Sequence, residues 1–157
     1  MGTSNKRLDE HLRALSTVYP LSILSDYKFV IVHNFRLPPG FNRSHIDILV
    51  EIPDDYPCSP PGVDTEICVP LGLLFKGREL KSVYKRTVAD FGRWGWFCYQ
   101  SIDWDPNKGN LIKLMEMVRS DFGIINNDAA KDITQRVMPQ SLYCLNMRSK
   151  RVINKST

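Results

Sequence analysis

Four thiols are the residues of this chain best suited to covalent chemistry: Cys58, Cys68, Cys98 and Cys144. None pairs with another in a C-x-x-C arrangement, the spacing by which zinc sites usually announce themselves, so no metal is expected. At 157 residues the chain has enough core to fold without disulfides, and nothing in its N-terminal stretch marks it for export. The four are therefore read as free thiols, each either a small buried hydrophobe or, as thiolate, a nucleophile. On local residues alone, Cys98 within Trp94-Gly95-Trp96-Phe97-Cys98-Tyr99 reads as a packed thiol. Cys58 and Cys68 read as structural, and Cys144 lies in the tail with no base beside it. The histidines His11, His33 and His45 do not flank Cys98, and no protease motif joins them to it. The expectation is of no metal and no cofactor.

Composition bounds the answer further. Hydrophobic residues make up 43% and charged residues 24%, as in an ordinary soluble domain. No run approaches the roughly 18 apolar residues that a membrane span needs, and no secretory signal follows Met1–Arg7, so the cytosol is the expected compartment and a membrane is not an expected partner. Net charge is +4. The surplus gathers late, in Lys131, Arg136, Arg148, Lys150, Arg151 and Lys155 against Asp132. A basic tail suits nucleic acid or an acidic partner. Without aromatic residues interleaved for base stacking, this one reads as a solvated terminus, and the reading goes against nucleic acid.

The elements that would position any chemistry follow from periodicity. Leu8, Leu12, Leu15 and Val18 recur at helical spacing, which predicts an amphipathic helix over residues 5–17, with Pro20 beyond it. From Tyr27 the period becomes two: Tyr27, Phe29, Ile31, His33 and Phe35 share one face of a strand and Val30 and Val32 the other. Leu37-Pro38-Pro39-Gly40 turns the chain, and a second strand over His45–Ile52 carries Ile46, Ile48, Val50 and Ile52 on one face with Asp47 and Glu51 turned away. The short link implies antiparallel pairing. Pro53 to Pro61 lacks the amide protons for a ladder and reads as a rigid, extended corner. A third strand is expected over Val63–Leu71, best formed at Val63–Ile67, while 72–93 has no clear pattern. After Trp104-Asp105-Pro106-Asn107 a helix carries Leu111, Leu114, Met115, Val118 and Phe122 as one stripe, capped by Asn107 or Asn110. A further short helix, capped by Asn126 or Asn127, would end near Met138. The class is α+β.

The order of these features resembles the ubiquitin-conjugating (UBC-like) superfamily. A first helix and a β-meander lead to the corner Tyr56-Pro57-Cys58-Ser59-Pro60-Pro61, then Cys98, then Trp104-Asp105-Pro106 before C-terminal helices. Phe35-Arg36-Leu37-Pro38-Pro39-Gly40-Phe41-Asn42 and Ile48-Leu49-Val50-Glu51-Ile52-Pro53 are similar to the divergent bacterial branch. The resemblance spans roughly residues 5–122, giving a UBC-like domain over 1–122 and a helical or basic extension over 123–157. The His-Pro-Asn tripeptide of the familiar enzymes is absent.

The resemblance implies that Cys98 carries the C-terminal carbonyl of a ubiquitin-like modifier as a thioester, received from an activating enzyme and passed to an amine acceptor, in a bacterial antiphage pathway that would also include a deconjugating peptidase. A thiolate suits both transfers because it attacks near neutral pH and leaves readily. The second transfer needs the amine deprotonated and the oxyanion stabilised. Asp103 and Asp105 are candidates to receive the proton or orient the amine. Gln100, Ser101 and Asn107 are candidates to replace the missing asparagine, and Tyr99 to shield the thioester. The competing reading is a catalytically inactive UBC variant or RWD-type interaction module. Such a module has no need of Cys98 coinciding with Trp-x-Pro.

Overall fold

Asn5 opens the first helix. In the computed structural model, which describes residues 5–80, 83–88, 92–97 and 103–131 (for 84–88 and 125–131 the course of the backbone), its Oδ1 accepts the Leu8 amide at 3.1 Å. That bond satisfies one of the amides a helix start leaves orphaned. Helix α1 (Lys6–Ser16) has Asp9 in its first turn and Arg13 in its last, both suited to the helix dipole. It buries Leu8, Leu12 and Leu15 as the spacing predicted. Val18, grouped with them in the sequence, lies past the helix end and is 54% exposed.

The expected meander is present and larger than the sequence suggested. Strands β1 (Leu21–Leu24), β2 (Phe29–Arg36), β3 (His45–Glu51), β4 (Ile67–Pro70), β7 (Val83–Val88) and β8 (Gly92–Phe97) form one sheet in the order β1-β2-β3-β4-β8-β7, every pairing antiparallel. Strands β5 (Leu74–Phe75) and β6 (Arg78–Glu79) make a small separate hairpin. Strand β1 has no counterpart in the sequence reading. The β1–β2 turn sets Ser25, Asp26 and Tyr27 in the left-handed region, with φ of 50°, 55° and 68°. Tyr27 therefore belongs to the turn rather than to the strand.

The face assigned to β2 needs a second correction. Phe29, Ile31 and His33 do share a face, but Phe35 joins Val30 and Val32 on the other, fully buried. A bulge between Val32 and Phe35, with Asn34 at φ 59°, inserts the residue that shifts the parity. In β3, Ile46, Ile48 and Val50 are buried on one face, continued by Ile52, as expected.

The third strand begins later than expected. Val63–Glu66 is turn and bend, and the ladder starts at Ile67. Before it, Thr65 Oγ1 donates to the Glu51 carbonyl at 2.6 Å, and the Glu66 amide reaches Glu51 Oε2 at 3.1 Å. Side chains thus take bonds that a regular ladder would supply.

Helix α2 (Leu111–Lys131) is capped by Asn110, whose Oδ1 accepts the Lys113 amide at 2.9 Å. Its stripe of Leu111, Leu114, Met115, Val118 and Phe122 is buried to the last residue. The helix runs without a break through Asn126 and Asn127, so neither caps a new helix there. Both helices cover the same face of the sheet and share its main core with Val30, Val32, Phe35, Ile48, Val50 and Ile67. Phe122 lies at the centre, stacked on Phe97 at 4.7 Å and edge-on to Phe41 at 5.4 Å. The opposite face carries a smaller cluster of Leu49, Cys68 and Trp94, with Phe29 and Ile31 against it. The α+β class of the sequence reading is what the chain forms.

Candidate functional site at the proline corner

After Ile52 the chain cannot pair as a strand, and it folds on itself instead. The Tyr56 amide donates to the Pro53 carbonyl at 3.0 Å, and the Cys58 amide to the Asp55 carbonyl at 2.8 Å. Ser59 Oγ donates to Asp55 Oδ2 at 2.8 Å, and the Tyr56–Pro57 peptide bond is cis. Pro53, Pro57, Pro60 and Pro61 are buried while Cys58 is exposed, so the structural reading given to that thiol is corrected to a surface one. Cys68, in β4, is buried as expected.

Two distant segments are fastened to this corner. From α1, Asn5 Nδ2 donates to the Tyr56 carbonyl at 2.7 Å, so one side chain both caps the helix and holds the corner. Tyr56 is 3% exposed, and its hydroxyl lies 2.6 Å from His11 Nδ1. Burial pushes the Tyr56 phenol far above its ordinary range, against a smaller opposing effect of Arg7. Burial also lowers His11, helped by Arg7 and opposed by Glu10. The phenol therefore keeps its proton, and a neutral His11 accepts it. From the other side, Trp104 Nε1 donates to the Pro57 carbonyl at 2.8 Å, and the indole lies 5.9 Å from the Tyr56 ring. Gly109 closes the back of the indole. A Cβ there would stand 2.6 Å from the Trp104 ring, which leaves room for glycine alone.

The predicted site residues divide accordingly. Cys98, Tyr99, Gln100 and Ser101 lie outside the described residues, as does Cys144. Phe97, the residue before Cys98, is buried at the end of β8 and stacked on Phe122. Asp103, Asp105 and Asn107 are described, and all three are exposed apart from their backbone bonds. The Asp103 amide meets Met117 Sδ at 3.4 Å. Asp105 organises the turn: its Oδ1 accepts the Asn107 amide at 2.9 Å, and its carbonyl accepts the Lys108 and Gly109 amides at 3.0 and 2.6 Å. Asn107 does not cap α2; Asn110 does.

No role at the corner was read from the sequence for Asn5, His11 or Gly109, and His11 was weighed only as a neighbour of Cys98. Asn5 had a signal, an asparagine directly before an apolar-periodic run. His11 had none, because its partner is 45 residues away. Among the described residues no helix is long and apolar enough to cross a membrane.

Two helices on one face of an antiparallel sheet, with a proline corner strapped between the first helix and a Trp-x-Pro turn, define an α+β protein. The chain belongs to the prokaryotic E2 family E, whose model matches residues 6–122. No curated protein and no solved structure matches it. Membership of an E2 family carries a ubiquitin-like conjugating role, with a modifier and an activating enzyme as the general partners.

Proposed function

We propose that the chain is a conjugating transferase with a UBC-like fold that holds a ubiquitin-like modifier as a thioester on Cys98 and transfers it to an amine. The observation that carries this reading is family membership over 6–122, a span that contains Cys98 and both motifs of the strapped corner. The hydrogen bond between Trp104 and Pro57 supports it as well, because it ties the turn that follows Cys98 in sequence to the corner that precedes it.

The Cys98 thiolate attacks the activating enzyme's thioester carbonyl. A tetrahedral intermediate forms and collapses, the enzyme's thiolate leaves, and one thioester replaces another. An acceptor amine then attacks, loses a proton and expels the Cys98 thiolate. Asp103, exposed just after the Cys98 segment, is our candidate to receive that proton. Asp105, its carboxylate engaged with the Asn107 amide, is assigned to shaping the turn. Gln100, Ser101 and Asn107 are the candidates to steady the oxyanion in place of the absent asparagine. Antiphage defence is the setting the resemblance suggests, with the cytosol as compartment.

The test combines the chain with its cognate activating enzyme, modifier and ATP, followed by electrophoresis with and without thiol. A thiol-labile adduct lost in Cys98→Ala, with Cys58, Cys68 and Cys144 intact, is the expected result. An adduct persisting in Cys98→Ala assigns the wrong thiol. If none forms with a competent activating enzyme, the interaction-module reading takes its place.

A further inference from the structure

Away from the corner, on the sheet face opposite the helices, three polar side chains from three neighbouring strands form a continuous row of close polar contacts. Ser22 Oγ on β1 lies 2.7 Å from His33 Nε2 on β2, and His33 Nδ1 lies 3.1 Å from Asp47 Oδ1 on β3. A carboxylate only accepts, so the neutral imidazole must carry its proton on Nδ1. Nε2 is then a lone pair, and the Ser22 hydroxyl must donate to it. This is the connectivity that turns a serine into a nucleophile: a hydroxyl on the basic nitrogen, with an acid fixing the tautomer on the far side.

Other features of the fold serve the same arrangement. The β2 bulge lies between Val32 and Phe35 and so takes in His33, with Asn34 in the left-handed region, and a bulge re-aims the side chains at it. Strand β1 ends the sheet. The His33 amide donates to the Pro20 carbonyl, so the hydrogen-bonded β1–β2 pairs are Ser22 with Ile31 and Leu24 with Phe29. The Ile23 amide, next after Ser22, therefore points out along the open edge, where it is available to an oxyanion. Beside Ser22 the same face offers a half-buried apolar shelf of Leu24, Phe29 and Ile31. His33 and Asp47 keep 31% and 46% of their side chains exposed, so a reactant reaches the row from solvent.

We infer that Ser22, His33 and Asp47 form a second, independent acyl-transfer site, with Ser22 as nucleophile, His33 as general base and Asp47 as the positioning residue, acting on esters of short apolar acyl groups. Ser22 Oγ bonds to the ester carbonyl carbon as its proton passes to His33 Nε2. The carbonyl–alkoxy bond breaks, and the leaving alcohol takes that proton. Water, deprotonated by His33, then attacks the acyl-serine, releasing the carboxylic acid and restoring Ser22. The shelf takes the acyl group. No cofactor enters the balance.

The full chain is incubated with a fluorophosphonate probe and read by intact mass and peptide mapping, beside hydrolysis of p-nitrophenyl butyrate. Both assays use the Cys98→Ala background so that the Cys98 thiol does not contribute, and peptide mapping separates a Ser22 adduct from one on exposed Cys58. One adduct on Ser22 is expected, lost in Ser22→Ala and His33→Ala and kept in Ser16→Ala. Ester hydrolysis should fall at least about a hundredfold in the first two variants. Asp47→Asn, which presents a donor to Nδ1 and so puts the ring proton on Nε2, should lose activity comparably and shift the pH–rate profile. The three positions are half-buried side chains on the sheet surface and outside the main core, so the variants should keep the fold, and circular dichroism checks this. An unlabelled folded parent, a label on another residue, or an Asp47→Asn chain hydrolysing at the parent rate with the parent profile overturns the assignment.

Discussion

Gly109→Ala perturbs the corner through its back wall. The new methyl carbon would stand 2.6, 2.7 and 2.8 Å from three atoms of the Trp104 indole, inside the 3.0 Å below which real Cβ contacts are essentially never found, so the ring must shift. The indole cannot retreat freely, because Nε1 is bonded to the Pro57 carbonyl at 2.8 Å and the ring borders Tyr56. Overpacking of this kind costs about 1–3 kcal/mol. If the bond to Pro57 breaks as well, about 1 kcal/mol belongs to it. The same substitution at Gly123 meets no atom within 4 Å and lies inside α2, where alanine is favoured over glycine by about 1 kcal/mol. Urea unfolding of the two variants beside the parent should therefore move midpoints in opposite directions, Gly109→Ala down and Gly123→Ala up. Gly109→Ala should also slow thioester formation if the turn positions the Cys98 segment. A Gly109→Ala chain as stable as the parent refutes the view that the indole is held against the corner.

Other outcomes follow from the same geometry. Phe122→Ala removes a fully buried ring stacked on Phe97 and should cost about 3–5 kcal/mol in denaturant unfolding. Asn110→Ala removes the α2 cap and should cost about 0.5–2 kcal/mol, with Asn110→Asp or Asn110→Ser recovering most of it. Because His11 is lowered from 6.5 in the folded chain, the unfolded chain takes up a proton first as pH falls, so this contribution to stability is complete above about 6.5 and is lost below it. Urea midpoints across that range should show the loss, and His11→Gln should flatten it.

Much of the fold was legible because long elements repeat their pattern. Five residues of the α2 stripe and three of α1 are buried where spacing put them, and β3 alternates as read. The misreadings have local causes. Strand β1 is short and lies at the sheet edge with Leu21 and Leu24 half-buried and Ile23 exposed, so its pattern carries little contrast. Phe35 changed face because parity survives only until a bulge, and an asparagine, though it enters the left-handed region more readily than most residues, does not by itself mark one. The proline corner was visible as rigid, since proline declares its own constraint. Its fastenings were not, because Asn5, His11 and Trp104 reach it across 51, 45 and 47 residues. The row of Ser22, His33 and Asp47 was hidden for the same reason: sheet registration, not sequence proximity, brings it together.

Placing the centre of the core on α2 has a consequence for how the protein is made. A chain emerging from the ribosome presents α1 and most of the sheet well before Leu111–Phe122 arrives to cover Val30, Val32, Ile48, Val50 and Ile67. Until then the inner face of a nascent sheet is wet and able to bind other apolar surfaces. The last segment of the domain to be synthesised is thus the one that makes the earlier segments safe. A stop or frameshift just before α2 would leave a sticky intermediate, a substrate for chaperones and proteases, rather than a smaller working protein.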